Sequence, residues 1–254
     1  MHTVYLFDSE KGGVGKSTFC KVFVQYLIDN GVDFKLFDAD FTNQDVLSAY
    51  SDIGGEALNL AKDERLGLDA DKIFAAARDT NVVVNFPANI AIIFNRWLEQ
   101  TGVLEMQKAR EMRFVKIFVT THEFSCIQAL KKSLNQWGKS MSHVVVQNIH
   151  TAYQETYDEV FGEAELAKLI KKYHVPILSM ERLSPAVINI LNEHQLRLDA
   201  AMKADESVIS ILNQMRIQTW QSGCHKQIAS SRVVTIPKKT SAKAEAQKDA
   251  VKVQ

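Results

Sequence analysis

The chain has 254 residues, 46% hydrophobic and 24% charged, and its 30 Lys and Arg balance 30 Asp and Glu. That composition is ordinary for a soluble globular protein long enough to bury a sizeable core. It argues against a bilayer span, since no apolar run approaches the ~20 residues required, and against a disulfide framework or zinc site, since Cys20, Cys126 and Cys224 show no C-x-x-C spacing.

Residues 3–7 are an apolar, β-rich run that predicts a buried strand. It starts almost at once and leaves no room for a signal peptide, so a cytoplasmic location is expected. A glycine-rich turn follows, Glu10-Lys11-Gly12-Gly13-Val14-Gly15-Lys16-Ser17-Thr18. Phe19, Val22, Phe23, Tyr26 and Leu27 then recur at helical spacing up to a stop signal at Asn30-Gly31. Residues 34–37 predict a second strand, ending in Asp38-Ala39-Asp40, and a long polar stretch over 41–67 shows little periodicity. The pattern next predicts a helix over 69–78, a third strand over 82–84 closed by Asn85-Phe86-Pro87, and an apolar helix over 90–98. A fourth strand over 116–119 leads through Thr120-Thr121-His122-Glu123-Phe124 into a helix reaching Leu134. A fifth strand over 144–146 ends at Gln147-Asn148, and an amphipathic helix over 164–173 precedes a sixth strand over 175–178. A last amphipathic helix over 207–220 closes the body.

Short β-rich runs alternating with helices predict an α/β fold, a mostly parallel sheet flanked by helices on both faces. Ligands of such sheets sit at the carboxyl ends of the strands. The expected domain covers 1–221. From Ser222 onward six Lys and one Arg outnumber Glu245 and Asp249, so a tail over 222–254 carries +5 and the body −5. The tail lacks a periodic apolar face and is expected to be disordered. Its lysines suit non-specific contacts to DNA backbone or another anionic surface, but not an interfacial membrane helix, which needs a broad face of Phe, Leu or Trp.

Strand, glycine-rich turn and helix are the context of a phosphate-binding loop. Glycines let successive backbone N–H groups converge on an anion, and the helix N-terminus adds its positive dipole end. Gly12, Gly13, Val14, Gly15 and Thr18 would supply the cradle. Lys16 would reach the outer phosphates as a point charge, and the Ser17 hydroxyl would take one Mg²⁺ position. The general pattern places glycine where this chain has Glu10.

Lys11-Gly12-Gly13-Val14-Gly15-Lys16-Ser17 resembles the deviant Walker A loop of the ParA/MinD family of ATPases, which position plasmids, chromosomes and division machinery. The resemblance implies a P-loop NTPase fold of the ParA/MinD type, a homodimer formed on Mg-ATP, and release on hydrolysis. Lys11 would then reach across the dimer to the partner's phosphates. Asp38-x-Asp40 resembles the switch I segment, which implies Asp38 near the magnesium and Asp40 orienting the hydrolytic water. Residues 82–89 resemble Walker B and switch II, with Asn85 where the family carries aspartate. An amide can accept from a magnesium-bound water but lacks the charge of a strong hard-cation ligand.

Asn148 matches the asparagine that reads adenine's polar edge in the family, and residues 180–183 match loosely the wall of the base pocket. Residues 120–123 fall where family members pack beside the nucleotide, with His122 expected as a solvated loop histidine. The implied setting is bacterial plasmid partition, plasmid stability or conjugative transfer, with a partner protein and a nucleoid association through DNA. Asn85 keeps a second reading open, a nucleotide-dependent scaffold or switch with little or no hydrolysis. A P-loop metabolic kinase or synthetase is disfavoured by Lys11, and an iron–sulfur carrier by the missing paired cysteines.

Overall fold

In β1 (His2–Asp8), Val4 and Leu6 enter the core on one face of the sheet, Tyr5 and Phe7 on the other, and all four are buried. A strand apolar on both faces belongs in the middle of a parallel sheet that is covered on both sides. The computed structural model describes residues 1–41, 43–60 and 66–237, save the side chains of 66–68, and β1 takes that central place in it.

The other strands are β2 (Phe34–Asp38), β3 (Glu56–Ala57), β4 (Asn81–Asn85), β5 (Met112–Thr120), β6 (Ser142–Asn148) and β7 (Ile177–Met180). They form one sheet in the order β3-β2-β4-β1-β5-β6-β7, every pair parallel. From β1 the chain passes to β2 and the edge strand β3, returns to insert β4 between β1 and β2, then reverses to build the other side through β5, β6 and β7. That reversal opens the crevice beside the carboxyl end of β1 where such sheets bind ligands.

Helices α1 (Lys16–Asp29), α2 (Asp45–Ala49), α8 (Pro185–Glu193), α9 (Leu198–Ala201) and α10 (Ile211–Ser231) cover the Tyr5 and Phe7 face. The opposite face packs under α3 (Leu66–Ala76), α4 (Ala91–Thr101), α5 (Phe124–Trp137), α6 (Gln154–Phe161) and α7 (Ala164–Tyr173). The expected parallel sheet with helices on both faces is what the chain forms. Among the described residues no helix is long and apolar enough to cross a membrane.

Several boundaries differ from those the pattern predicts. The polar stretch 41–67, where it is described, contains α2, a single 3-10 turn (Ser51–Ile53) and the two-residue edge strand β3; residues 42 and 61–65 lie outside the described residues. The sixth predicted strand starts at Ile177, not at 175. The Val175 N–H instead caps α7 by donating to the Ile170 carbonyl, and Pro176 has no N–H to give. Helices α6, α8 and α9 are additions, α8 opening on Pro185 at its first turn.

The last helix, α10, extends past the boundary expected at 221. This helix continues ten residues past 221, burying Cys224 and Ile228 against α1, where His225 meets the Tyr26 ring edge-on at 5.1 Å. Ile217, Trp220, Gln221, Cys224 and Ile228 are a helical stripe that Ser222 and Gly223 do not interrupt. Beyond it Val233 is buried, and its carbonyl accepts from Arg113 Nη2 at 2.6 Å. The rest of the tail, 238–254, lies outside the described residues.

Candidate functional site

The sheet register builds the site. Asp38 ends β2 and Asn85 ends β4, and the two are paired neighbours across parallel strands. Both share parity with residues facing α1, Leu36 and Val83, so their side chains meet beneath the start of that helix. The loop between β1 and α1 passes directly over them. Gly13 and Gly15 hold positive φ, 79° and 92°, which only glycine adopts readily. No side chain caps the N-terminus of α1, so its orphan N–H groups remain for an anion.

Lys16, the first residue of α1, is 7% exposed and its Nζ donates to Asn85 Oδ1 at 3.1 Å. Asn85 Nδ2 donates to Asp38 Oδ1 at 2.9 Å and lies 3.4 Å from Ser17 Oγ. Asp38 also accepts from the backbone N–H groups of Leu47 at 3.1 Å and Asp40 at 3.2 Å. Burial lowers the affinity of Lys16 for its proton, against the pull of nearby groups that include Asp40 and Asp38. Burial also raises the pKa of Asp38, while the donors from Asn85, Leu47 and Asp40 hold it down.

Most of the expected residues therefore converge: Lys16, Ser17, Asp38 and Asn85 are joined in one network, with Gly12, Gly13, Val14, Gly15 and Thr18 around it. Asp40 is half-buried at the rim, where its Oδ1 accepts from the Asn43 N–H. Lys11 is exposed and forms an ion pair with Glu123 at the start of α5; that bond raises its pKa. Glu10 lines a crevice with Asp8, Lys116 and Lys132 on the α4–α5 side of the loop.

Asn148 sits at the loop but engages the protein. Its Nδ2 donates to the Val14 carbonyl at 2.8 Å, and its Oδ1 accepts from the His150 N–H at 3.1 Å. A Cβ on Gly15 would stand 2.7 Å from that same Nδ2 and 2.8 Å from Met180 Cε. The geometry makes Asn148 a tether of the loop, where the resemblance assigns it to the base. His122, in the loop between β5 and α5, is half-buried and meets the Tyr157 ring edge-on. The three cysteines are buried and free, and the three tryptophans are buried, as packing residues should be.

Hard-cation chemistry needs oxygen donors. Ser17 Oγ and the Asp38 carboxylate, the latter through water, fit a Mg²⁺ brought in on a nucleotide. Asn85 does not fit as the expected metal ligand, because it turns its nitrogen towards both of them. Among the described residues no group of three or more His, Cys, Asp or Glu could hold a metal alone.

One cluster had no signal in the sequence. On the opposite face of the sheet, Asp8 and Lys116 form a buried ion pair at 2.9 Å. Nearby, Ser133 Oγ is 3.0 Å from Nε2 of buried His143, whose pKa is pulled down to about 4 by burial and by Lys116. Residues 181–183, within the stretch the resemblance gives to the base-pocket wall, line with α10 a groove of about 610 Å³ that includes Leu183, Leu212, Met215 and Trp220.

No family model matches the chain. Its sequence is 23% identical over 228 residues to Protein MobD of Acidithiobacillus ferrooxidans, covering 88% of this chain and 95% of that protein. Its structure is similar to MinD of Aquifex aeolicus (TM-score 0.51, 14% identity, 94% of this chain and 100% of that one). It is equally similar to a chain of the MinC:MinD complex of that organism (TM-score 0.51, 13% identity, 94% and 99%). The chain thus shares the fold of these MinD chains, one parallel sheet with helices on both faces.

Proposed function

We propose that the chain binds Mg-ATP over residues 11–18, hydrolyses it slowly, and forms a homodimer while ATP is bound. One observation carries this reading: Lys16, Ser17, Asn85 and Asp38 meet at the uncapped N-terminus of α1, under a loop whose glycines take positive φ. With nucleotide bound, Lys16 would neutralise charge on the outer phosphates, Ser17 and Asp38 would hold the metal, and Asp40 at the rim would orient water. When bound, the magnesium ion adds charge neutralisation at the phosphates.

Dimerisation is supported by the carboxyl-end surface. Phe41, Ile92, Phe124 and Tyr153 lie just beyond the ends of β2, β4, β5 and β6 and are each more than 60% exposed. Lys11 stands on the same side in an exposed ion pair, a weak hold that a partner's phosphates can displace. The resemblance of the loop supports a role in plasmid partition, plasmid stability or conjugative transfer, and the likeness to a chain of the MinC:MinD complex supports a partner protein. DNA contact would be sequence-independent, through basic residues.

Lys11→Ala tests the reading: the variant should bind ATP yet stay monomeric by light scattering with a non-hydrolysable analogue. An unchanged ATP-driven dimer would refute it. Asn85 favours a second reading, a switch that scarcely turns over. Phosphate release with and without DNA separates the two.

A further inference from the structure

Asn85 lies at the centre of the network, and its neighbours dictate which way its amide faces. Oδ1 accepts from the Lys16 ammonium at 3.1 Å, while Nδ2 donates to Asp38 at 2.9 Å and faces Ser17 Oγ at 3.4 Å. Reversing the amide would set NH₂ against an ammonium group and oxygen against a carboxylate, two contacts with no hydrogen bond. Asn85 and Asp38 have no exposed surface, so water would not relieve either clash. Asp38 keeps the nitrogen on the Ser17 side even when Lys16 turns to a phosphate. The face shown to the two oxygen-bearing side chains is thus a donor face, which can neither ligate magnesium nor accept from a water that magnesium holds.

We infer that Asn85 is a positioning residue: a neutral bridge that places the Lys16 ammonium and the Asp38 carboxylate, and from which the metal takes nothing. The inference rests on nucleotide binding as proposed above. Charge explains why an amide suits this position. A carboxylate at 85 would accept from Lys16 equally well, but it would stand at hydrogen-bond distance from a second buried carboxylate. Two such anions call for a divalent cation between them. With asparagine, Lys16 and Asp38 already balance across a neutral group, and nucleotide binding becomes less dependent on metal.

The test measures affinity rather than turnover. Fluorescent ATP and ADP analogues are titrated into the full-length wild type, Asn85→Ala and Asn85→Asp, each in excess Mg²⁺ and in EDTA, with thermal melts as the folding control. Asn85→Ala should weaken binding by the same factor in both conditions, because placement is lost and no ligand is. Asn85→Asp should raise the EDTA-to-Mg²⁺ ratio of Kd values by about tenfold or more, since the metal-free site then holds two adjacent anions. Weakening of Asn85→Ala confined to the Mg²⁺ arm would show that a metal ligand had been removed and would overturn the inference. An unchanged ratio in folded Asn85→Asp would do the same. If Asn85→Asp does not fold, the alanine variant decides alone. A wild type that binds no nucleotide in either condition would overturn the nucleotide reading itself, a failure that looks different from the other two.

Discussion

Truncating Asn148 to alanine distinguishes a loop tether from a base reader. The substitution deletes the 2.8 Å bond to the Val14 carbonyl and the 3.1 Å bond from the His150 N–H. The site is 5% exposed, so both backbone groups lose partners where water replaces them poorly. An unsatisfied buried group costs about 1–3 kcal/mol, so two cost roughly 2–6 kcal/mol of folding stability. The turn after β6 keeps its anchors, because Tyr157 Oη and Thr151 still bond the Asn148 carbonyl, at 2.7 and 3.0 Å. The loop over 12–15, by contrast, loses the side chain that fixes its height above β6. If about 1.4 kcal/mol of the loss falls on loop order, affinity drops about tenfold. Urea unfolding measures the first quantity, and titrations with ATP, GTP and inorganic tripolyphosphate measure the second. All three ligands should weaken alike, because each needs the loop and the phosphate chain carries the contact. A loss confined to ATP, with GTP and tripolyphosphate unchanged, would refute the tether and restore the adenine role.

Three further outcomes follow from the geometry. Gly15→Ala should abolish nucleotide binding, since its Cβ would meet Asn148 and Met180 below 3 Å at a φ of 92°; retained affinity in a titration would show the loop to be pliable. His143 is neutral in the folded chain, with a pKa near 4 against an ordinary 6.5, so its contribution is present above pH 6.5 and lost as pH falls. About 3 kcal/mol should disappear between pH 6.5 and 4, and His143→Gln should flatten that slope in chemical denaturation at stepped pH. Lys116→Met strands Asp8 as a buried, unpaired charge and should cost about 3–5 kcal/mol, most of it recovered in the double variant with Asp8→Asn; no recovery by thermal melts would remove the pairing from the account.

Legibility followed the range of the physical signal. The run of residues 3–7 and the glycine-rich turn are local patterns, and they place β1, the loop and α1 correctly because strand pairing, φ > 0 and helical periodicity act over a few residues. The long polar stretch hid α2 and β3, which are too short for their own periodicity and form on the edge that β2 offers. The chain from Ser222 on shows no broad apolar face, yet α10 runs into it because Cys224 and Ile228 bury against α1, a contact separated by some two hundred residues of chain. Propensity yielded to packing there.

From order and spacing alone, the amino acids specify a parallel α/β sheet with a glycine-rich turn after its first strand and with Lys16, Ser17 and Asp38 near it, while Asn85 is picked out by the family resemblance. What those residues do to one another was decided only when β2 paired in register with β4 beneath the start of α1. The same holds for Asn148, which meets the loop across 134 positions of sequence, and for the Asp8–Lys116 pair on the far face. Hydrogen-bond direction and buried charge depend on neighbours brought together by the sheet, and no local pattern encodes which way an amide will turn.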